Sequence, residues 1–195
     1  MPQLTQPAIP PGTLTATPQP VIPIPGDGGL HLRPWRDSDS AAVLAAYQDE
    51  AITRWHARRL DSADEAAAII KIWRDGWAAE TAAQWAIART ADDACLGRMA
   101  LRQLDLHEGV AEIGYWVAPT ARGAAVAPRA LTAMTAWALT TGFHRLDLHH
   151  STANAPSCRV AEKCGYPLES TRRSSALHAD GWHDMHVHAR LQDAP

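Results

Sequence analysis

The stretch VAPTARGAAVAPRAL, residues 117–131, decides the fold of this chain. It starts at the end of an apolar strand pattern, AEIGYWV at 111–117, passes through Arg122 and Gly123, and continues into an alanine-rich helix pattern. A helix that starts at a strand end leaves several backbone N–H groups without partners, all pointing the same way. Together with the helix dipole, these donors form an anion site suited to phosphate. The junction therefore predicts a phosphate-binding turn between a strand and a helix.

The segments on both sides of this junction alternate between strand and helix patterns. Strands are predicted at 29–35, 84–89, 95–104, 112–117, 145–151, about 166–174 and about 183–191. Helices are predicted over 39–49, 62–77, about 124–141 and 156–164. Ser62 and Glu65 stand in capping-box positions at the start of the second helix. This order predicts an α/β (α+β) fold in which a mixed sheet is flanked by helices.

Residues 1–27 differ in composition from everything that follows them. They are rich in proline and contain no Lys, Arg or Glu. Such a segment cannot form a helix or a central strand, so we expect an extended, polyproline-like or disordered tail. We prefer a solvated tail to a ligand for a proline-recognising partner, because proline-rich termini are commonly solvated. The globular domain is expected at 28–195, a length that fits one domain.

The charge and the apolar pattern argue against several classes of partner. The formal net charge is -3, so neither a nucleic-acid surface nor a basic membrane patch is expected. The N-terminus lacks a signal-peptide pattern, and no apolar run approaches the roughly 20 residues of a membrane span. We therefore expect a cytoplasmic protein with no membrane and no nucleic-acid partner, whose exposed tryptophans would support a homodimer.

The cysteines are expected to be reduced. There are three of them, and an odd number argues against a disulfide framework. Cys158 and Cys164 fall on one predicted helix, about 9 Å apart along its axis. A disulfide needs Cα atoms within roughly 7 Å of each other, so this pair should remain as free thiols.

Four motifs follow one another in the order and with the spacing of a known family. They are the strand AEIGYWV, the turn Arg122-Gly123-Ala124-Ala125-Val126-Ala127, the set Asn154, Ser157, Lys163, Gly165 and Tyr166, and Arg172 or Arg173 followed by Asp180, Gly181 and Asp184. On these motifs residues 29–191 resemble the GNAT acyltransferases, in particular the RimJ/RimL-like branch of ribosomal-protein N-terminal acetyltransferases. The resemblance implies the GNAT fold, with a mostly antiparallel sheet of about seven strands. It also implies that the sheet splays open between the fourth predicted strand, 112–117, and the fifth, 145–151.

The resemblance implies that acetyl-CoA is the co-substrate. Main-chain groups near Trp116 and Val117 would pair with its pantetheine arm, and Asn154 would fix the local turn and contact CoA. The CoA pyrophosphate would be held by the backbone N–H groups of Arg122, Gly123, Ala124, Ala125, Val126 and Ala127. Two residues depart from the family pattern. Ala125 stands where Gly is usual and disfavours a positive φ, while Pro128 removes one N–H from the first turns of the helix.

The acid and base candidates follow from the chemistry of aminolysis, in which an amine attacks the thioester directly in a ternary complex. Glu112 is the candidate base, acting through a water molecule. Ser157 would hydrogen-bond the departing sulfur, and Tyr115 is a weaker alternative acid. The other interpretations remain open: an ion pair on a strand for Glu112, a helix-start residue for Ser157, and a core side chain for Tyr115. Trp55 and Trp77 are candidates for lining an acceptor cleft.

The acceptor is predicted to be a primary amine, either a protein N-terminal α-amine or a small-molecule amine. Deprotonating an α-amine at pH 7 costs about 1 kcal/mol, against about 4.6 kcal/mol for lysine, so one carboxylate suits the α-amine. The alternatives are a non-catalytic acyl-CoA-binding or partner-binding GNAT-like protein and an antibiotic or amino-acid acetyltransferase.

No metal is expected at the histidine-rich end of the chain. His186 and His188 share one face of the predicted strand 183–191, so two ligands could converge there. The sequence offers no evident third ligand, and solvated histidines on strands are commoner than metal ligands.

Overall fold

The computed structural model describes residues 5–192. Eight strands form one sheet: β1 (Ile22–Ile24), β2 (Leu30–Pro34), β3 (Ala83–Arg89), β4 (Cys95–Asp105), β5 (Val110–Val117), β6 (Arg145–Ser151), β7 (Leu168–His178) and β8 (Gly181–Leu191). Their order across the sheet is β1-β2-β3-β4-β5-β6-β8-β7. Neighbouring strands are antiparallel except β5 and β6, which are parallel. The mixed, mostly antiparallel sheet predicted from the sequence is confirmed, with one strand more than expected because β1 joins its edge.

Among the described residues, five α-helices flank the sheet: α1 (Ser40–Ala46), α2 (Glu50–His56), α3 (Ala63–Ala78), α4 (Val126–Thr141) and α5 (Ala155–Lys163). Helix α3 starts as predicted, with the Ser62 hydroxyl accepting the Glu65 N–H at 3.2 Å. The Glu65 carboxylate, however, accepts the N–H of Asp61 rather than that of Ser62. Helix α2 is absent from the sequence prediction, because its seven residues carry too few apolar positions to show a period.

The two faces of the sheet bury two separate apolar clusters. Trp85 and Ile87 on β3 point to the face covered by α4, where they share a cluster with Leu131. Their neighbour Ala86 points to the opposite face and packs in a cluster with α1, α2 and α3. Because side chains alternate along a strand, a strand that is buried on both sides reads as a continuous apolar run.

The prediction of a solvated N-terminal tail is wrong for residues 5–27. Ile9 and Leu14 are only 1% and 3% exposed and belong to the core. The Glu80 carboxylate accepts the backbone N–H groups of Gly12 and Leu14, and β1 pairs with β2. Proline is tolerated here because β1 is an edge strand, where a missing N–H breaks no ladder. Residues 1–4 lie outside the described part of the chain.

The sheet splays open where the family resemblance predicted. The parallel pairing of β5 with β6 runs from Val110 opposite Arg145 to Ile113 opposite Leu148. From Gly114 to Val117, β5 is paired with β4 alone. The open edge of β5 therefore leads away from β6 toward the start of α4.

Two further findings bear on the sequence predictions. All three cysteines are free, as expected from their odd number and from the spacing of Cys158 and Cys164. Within residues 5–192, no helix is both long and apolar enough to cross a membrane.

Candidate active site

A cavity of about 1030 Å³ occupies the splay between β5 and β6. Its walls include the open edge of β5, the turn before α4, the first residues of α5, and parts of α2 and β7. Every predicted catalytic residue lines it, as do all the predicted CoA-binding positions except Ala124. The structure thus brings together residues that are separated by up to 45 positions in the sequence, from Glu112 to Ser157.

The turn before α4 presents backbone donors and no side-chain cap. Ala125 is the N-cap residue and adopts a left-handed conformation with φ of 53°. The alanine methyl group therefore does not prevent the positive φ that the family pattern assigns to glycine, although L residues occupy this region at a cost of about 1–2 kcal/mol. Pro128 is the third residue of the helix, a position whose N–H has no intrahelical acceptor in any case. The N–H groups of Val126 and Ala127 at this helix start also lack intrahelical acceptors.

The side chain of Arg122 points away from this turn and anchors it to α2. Its guanidinium forms an ion pair with Asp49, with Nη2 at 2.6 Å from Oδ1. Asp49 is itself the N-cap of α2 and accepts the Ile52 N–H. The Arg122 guanidinium hydrogen-bonded to it lowers the pKa of the Asp49 carboxyl. The backbone N–H of Arg122 donates to the carbonyl oxygen of Pro119 at 3.3 Å. Arg122 therefore has a structural role through both its side chain and its N–H, and the predicted phosphate contact is left to the N–H groups that follow it.

The start of α5 faces β5 across the splay. Asn154 is the N-cap of α5, and its side-chain oxygen accepts the Ser157 N–H at 3.3 Å. The Ser157 hydroxyl lies 2.8 Å from the Tyr115 hydroxyl, so the two side chains are hydrogen-bonded. Burial raises the pKa of Tyr115 to about 12, which keeps its phenol protonated at neutral pH. Since Asn154 caps the helix, the Ser157 hydroxyl is not used as a cap and is committed to Tyr115 instead.

Glu112 lines the cavity and forms an ion pair. Its carboxylate contacts the guanidinium of Arg102, the residue directly opposite on β4. The other carboxylate oxygen lies 3.9 Å from Nδ1 of His149 on β6. The side chain is 14% exposed and still lines the cavity. Glu112 thus forms the ion pair that the sequence left as the alternative to a base role, and it lines the cavity as well.

The tryptophans named from the sequence lie in different places. Trp55 lines the cavity, and its ring packs edge-on against His178 of β7. Trp77 packs against Trp85 and Trp137 in the core cluster beside α4 and does not line the cavity. Trp77 is therefore excluded from the proposed acceptor cleft.

The side chain of Trp116 also points away from the cavity, into the cluster on the other face. It packs against Trp35 and Tyr47 and is only 3% exposed. Only the main chain of Trp116 can therefore serve the predicted contact with pantetheine.

His56 is a site residue that the sequence did not indicate. It is the last residue of α2, and its Nε2 lies 3.0 Å from the carbonyl oxygen of Tyr115. A carbonyl oxygen only accepts hydrogen bonds, so Nε2 carries the proton. Burial lowers the pKa of His56 to about 3, and the ring is neutral at neutral pH. No pattern in the sequence marks this residue, because its role depends on the placement of a short, unpredicted helix.

The splayed sheet, with an uncapped helix start beside it, is the arrangement of an acetyltransferase of the GNAT class. The family model for the acetyltransferase (GNAT) domain matches residues 29–167. The match covers more than half of the chain, and the protein belongs to the GNAT acetyltransferase family. Comparison with curated proteins gives no match.

Several solved structures share this fold. RimJ from Mycobacterium smegmatis, in complex with CoA-disulfide, has a TM-score of 0.79 and 22% identity over 88% of this chain and 86% of that chain. RimL, a ribosomal L7/L12 alpha-N-protein acetyltransferase in complex with coenzyme A, has a TM-score of 0.76 and 22% identity over 89% and 99%. A Salmonella typhimurium acetyltransferase that modifies the N-terminal serine of ribosomal protein L7/L12 has a TM-score of 0.77 and 20% identity over 88% and 99%. These neighbours match the RimJ/RimL-like branch that the motifs resemble.

Proposed function

We propose that the protein transfers an acetyl group from acetyl-CoA to a primary amine, with an α-amino group as the preferred acceptor. One observation carries this proposal. The open edge of β5, Gly114 to Val117, connects the uncapped start of α4 to the hydrogen-bonded pair Tyr115 and Ser157 within one cavity. An anion site, a strand edge that β6 does not pair and a pair of hydroxyls are three parts that suit a bound acyl-CoA. Membership of the GNAT family supports the same assignment.

The CoA pyrophosphate would bind at the turn formed by residues 122–127, through the N–H groups that follow Arg122, because that of Arg122 itself donates to Pro119. Backbone N–H groups at a helix start are oriented donors, and the helix dipole adds to the attraction for an anion. From there the pantetheine arm would follow the main chain of Val117 and Trp116. Its thioester would then arrive beside Tyr115 and Ser157.

The transfer itself forms a C–N bond and breaks the C–S bond. A neutral amine attacks the thioester carbonyl, and the amine proton passes to Glu112 through a water molecule. The electron pair of the broken bond remains on sulfur as a thiolate. With a pKa of about 12, the Tyr115 phenol is far less acidic than a thiol near 8.5. The Tyr115 and Ser157 hydroxyls would therefore stabilise the thiolate by hydrogen bonding and not by proton transfer.

The acceptor preference follows from the cost of deprotonation. At pH 7 an α-amine must lose a proton at a cost of about 1 kcal/mol, whereas lysine requires about 4.6 kcal/mol. Glu112 is a single carboxylate already paired with Arg102. A base in this setting suits the α-amine, and a peptide N-terminus agrees with what the RimL neighbour is named for.

Binding and turnover test the proposal separately. Calorimetry with acetyl-CoA, with desulfo-CoA as a control ligand, should give a Kd in the micromolar range. Acetyl transfer should then occur to a peptide with a free α-amine and not to the same peptide with a blocked N-terminus and a free lysine. Absence of acetyl-CoA binding at millimolar concentration would refute the proposal. Transfer to small amines with none to peptides would assign the protein to small-molecule acetylation.

A further inference from the structure

Three histidines and one cysteine lie close together where the first turn of α5 meets β6 and β8. His150 lies on β6, directly opposite His186 on β8, and His188 lies two residues further along the same face of β8. Cys158, in the first turn of α5, is the fourth member, with its Sγ 3.9 Å from Nε2 of His188. One ligand atom from each of the four side chains lies within 4.8 Å of the other three. The strand register and the placement of α5 thus assemble a set that is scattered over 39 positions, 150–188, of the sequence.

The hydrogen bonds of two histidines fix the tautomer of each ring. Nδ1 of His150 lies 2.8 Å from the carbonyl oxygen of Ser151, and Nδ1 of His188 lies 2.9 Å from that of Tyr166. A carbonyl oxygen only accepts, so both Nδ1 atoms carry a proton. In the neutral rings, both Nε2 atoms therefore present lone pairs, and they lie 3.1 Å apart. Two lone pairs at this distance repel each other unless a cation lies between them.

The other two members of the cluster also have free coordinating capacity. Nδ1 of His186 is buried and has no hydrogen-bond partner among residues 5–192. Sγ of Cys158 lies 3.9 Å from Nε2 of His188, and its thiol donates a weak hydrogen bond to Glu162 at 3.6 Å. His150 and His188 are 5% and 0% exposed, so solvent cannot satisfy their inner nitrogens.

We propose that His150, His186, His188 and Cys158 bind one divalent transition-metal ion, with Zn²⁺ as the ion that fits best. Imidazole and thiolate are the ligands that zinc prefers, and four protein ligands make a closed, structural type of site. In a tetrahedral zinc site, two nitrogens stand about 3.3 Å apart, and a nitrogen and a sulfur about 3.6 Å apart. The spacings of 3.1 Å and 3.9 Å are within a few tenths of an ångström of these values.

The second coordination shell supports the same assignment. Metal-bound histidines usually donate their other ring N–H to a carbonyl or carboxylate, which fixes the tautomer and orients the ring. His150 and His188 both make this bond to backbone carbonyls. The sequence alone showed only His186 and His188, since the other two ligands come from β6 and α5.

A metal at this position would fasten α5 to the sheet. Cys158 is adjacent to Ser157, and β6 forms one side of the splay. Coordination of Cys158 would hold the start of α5 against β6 and β8 and so keep the Ser157 hydroxyl opposite Tyr115. The ion is thus structural and takes no part in the transfer.

Metal uptake by the full chain tests this inference without acetyl-CoA. The protein is purified without a histidine tag, stripped with a chelator and titrated with Co²⁺ or Zn²⁺. We expect one ion per chain, and with Co²⁺ both tetrahedral d–d absorption and a thiolate-to-cobalt charge-transfer band. Cys158→Ser should remove the charge-transfer band, whereas Cys164→Ser, which changes a second cysteine near the end of α5, should leave it. His186→Asn should weaken binding by about tenfold or more, and His149→Asn should not.

Two results would overturn the inference. One is a folded, stripped wild-type protein, verified by circular dichroism, that takes up neither ion; the contact between His150 and His188 would then hold a shared proton. The other is binding that is unchanged in both Cys158→Ser and His186→Asn. Since uptake is measured in the absence of substrate, either result is independent of the proposed acetyl transfer.

Discussion

The two helices that start at the cavity do so in opposite ways. The N-cap of α4 is Ala125, which has no side chain able to accept the first N–H groups of the helix, and Ala125, Val126 and Ala127 line the cavity. Helix α5 begins at Asn154, whose side chain accepts the N–H of Ser157. The first N–H groups of α4 therefore have no side-chain acceptor, whereas in α5 the bond from the Ser157 N–H to Asn154 helps to fix the position of the Ser157 hydroxyl. In the proposed function, anion binding would fall to the start of α4 and the chemical step to the start of α5.

Tyr115 on β5 contacts both α5 and α2. Its hydroxyl is hydrogen-bonded to the Ser157 hydroxyl of α5, and its carbonyl accepts a hydrogen bond from His56 of α2. Arg122, which begins the turn before α4, is anchored to α2 through Asp49. Helix α2 therefore supports the turn and the strand, and it also lines the cavity with Ala51, Ile52, Trp55 and His56. Variants in β5, α2 and the two helix starts can therefore distinguish effects on acetyl-CoA binding and stability from effects on turnover.

The largest effect is expected from Glu112→Gln. Removing a general base lowers the rate by about 100-fold or more, and Glu112 lies on the strand beside the chemical half of the cavity, not on the turn before α4. We expect kcat to fall by this factor while the Kd of acetyl-CoA stays within about twofold of wild type. Steady-state kinetics and calorimetry on the same preparation measure the two quantities. A parallel loss of acetyl-CoA binding would contradict the assignment, and unchanged turnover would leave Glu112 as a partner of Arg102 alone.

The next effect concerns His56 and appears as a dependence of stability on pH. The folded-state pKa of about 3 lies below the unfolded value near 6.5, so the folded protein binds fewer protons in this range. Stability attributed to His56 is therefore fully present above pH 6.5 and is lost as the pH falls toward 3. At pH 5 the loss is about 2 kcal/mol.

The measurement for His56 is urea denaturation at pH 7.5 and pH 5. His56→Gln keeps a donor for the Tyr115 carbonyl but cannot titrate, so its stability should fall by about 2 kcal/mol less than that of wild type over this interval. His144→Gln is the matched control, since His144 is exposed and does not line the cavity. Equal losses in wild type and His56→Gln would show that His56 is not held neutral.

His56 also marks the limit of what could be predicted from the sequence. Strands β2 to β8 and the helix start at Ser62 rest on local patterns, and the splay rests on motifs with fixed spacing. The helix predicted at 156–164 is α5, but its N-cap is Asn154 and not Ser157. The positions of His56, of residues 5–27 and of the pairing between His150 and His186 depend on tertiary packing, which leaves no periodic signal in the chain. The proline-rich segment misled the prediction because edge strands accept proline, and nothing local distinguishes an edge strand from a tail.

Removing the cap of α5 should have a smaller effect. Asn154→Ala deletes the acceptor for the Ser157 N–H and should lower the free energy of unfolding by about 1 kcal/mol. Because the Ser157 hydroxyl is then held less firmly opposite Tyr115, kcat should fall while acetyl-CoA binding changes little. Asn154→Asp, which retains a capping oxygen, should recover most of both losses. If Asn154→Ala weakened acetyl-CoA binding more than turnover, Asn154 would act mainly as a CoA contact.

The smallest effect is expected from Ala125→Gly at the N-cap of α4, and it is a change in the free energy of unfolding. Ala125 holds a positive φ of 53°, a conformation that costs an L residue about 1–2 kcal/mol and glycine much less. Part of this gain is offset because glycine loses more backbone entropy on folding, by roughly 0.4–1 kcal/mol. Ala125→Gly should therefore raise the free energy of unfolding by about 0.5 kcal/mol. Ala136→Gly, at an exposed position within α4, should lower it by about 1 kcal/mol.

Denaturant unfolding of the two variants side by side measures both shifts. Destabilisation of both by the same amount would mean that the turn before α4 is not strained at Ala125. A gain at Ala125 alone would show that this chain keeps the glycine-type turn at the expense of stability.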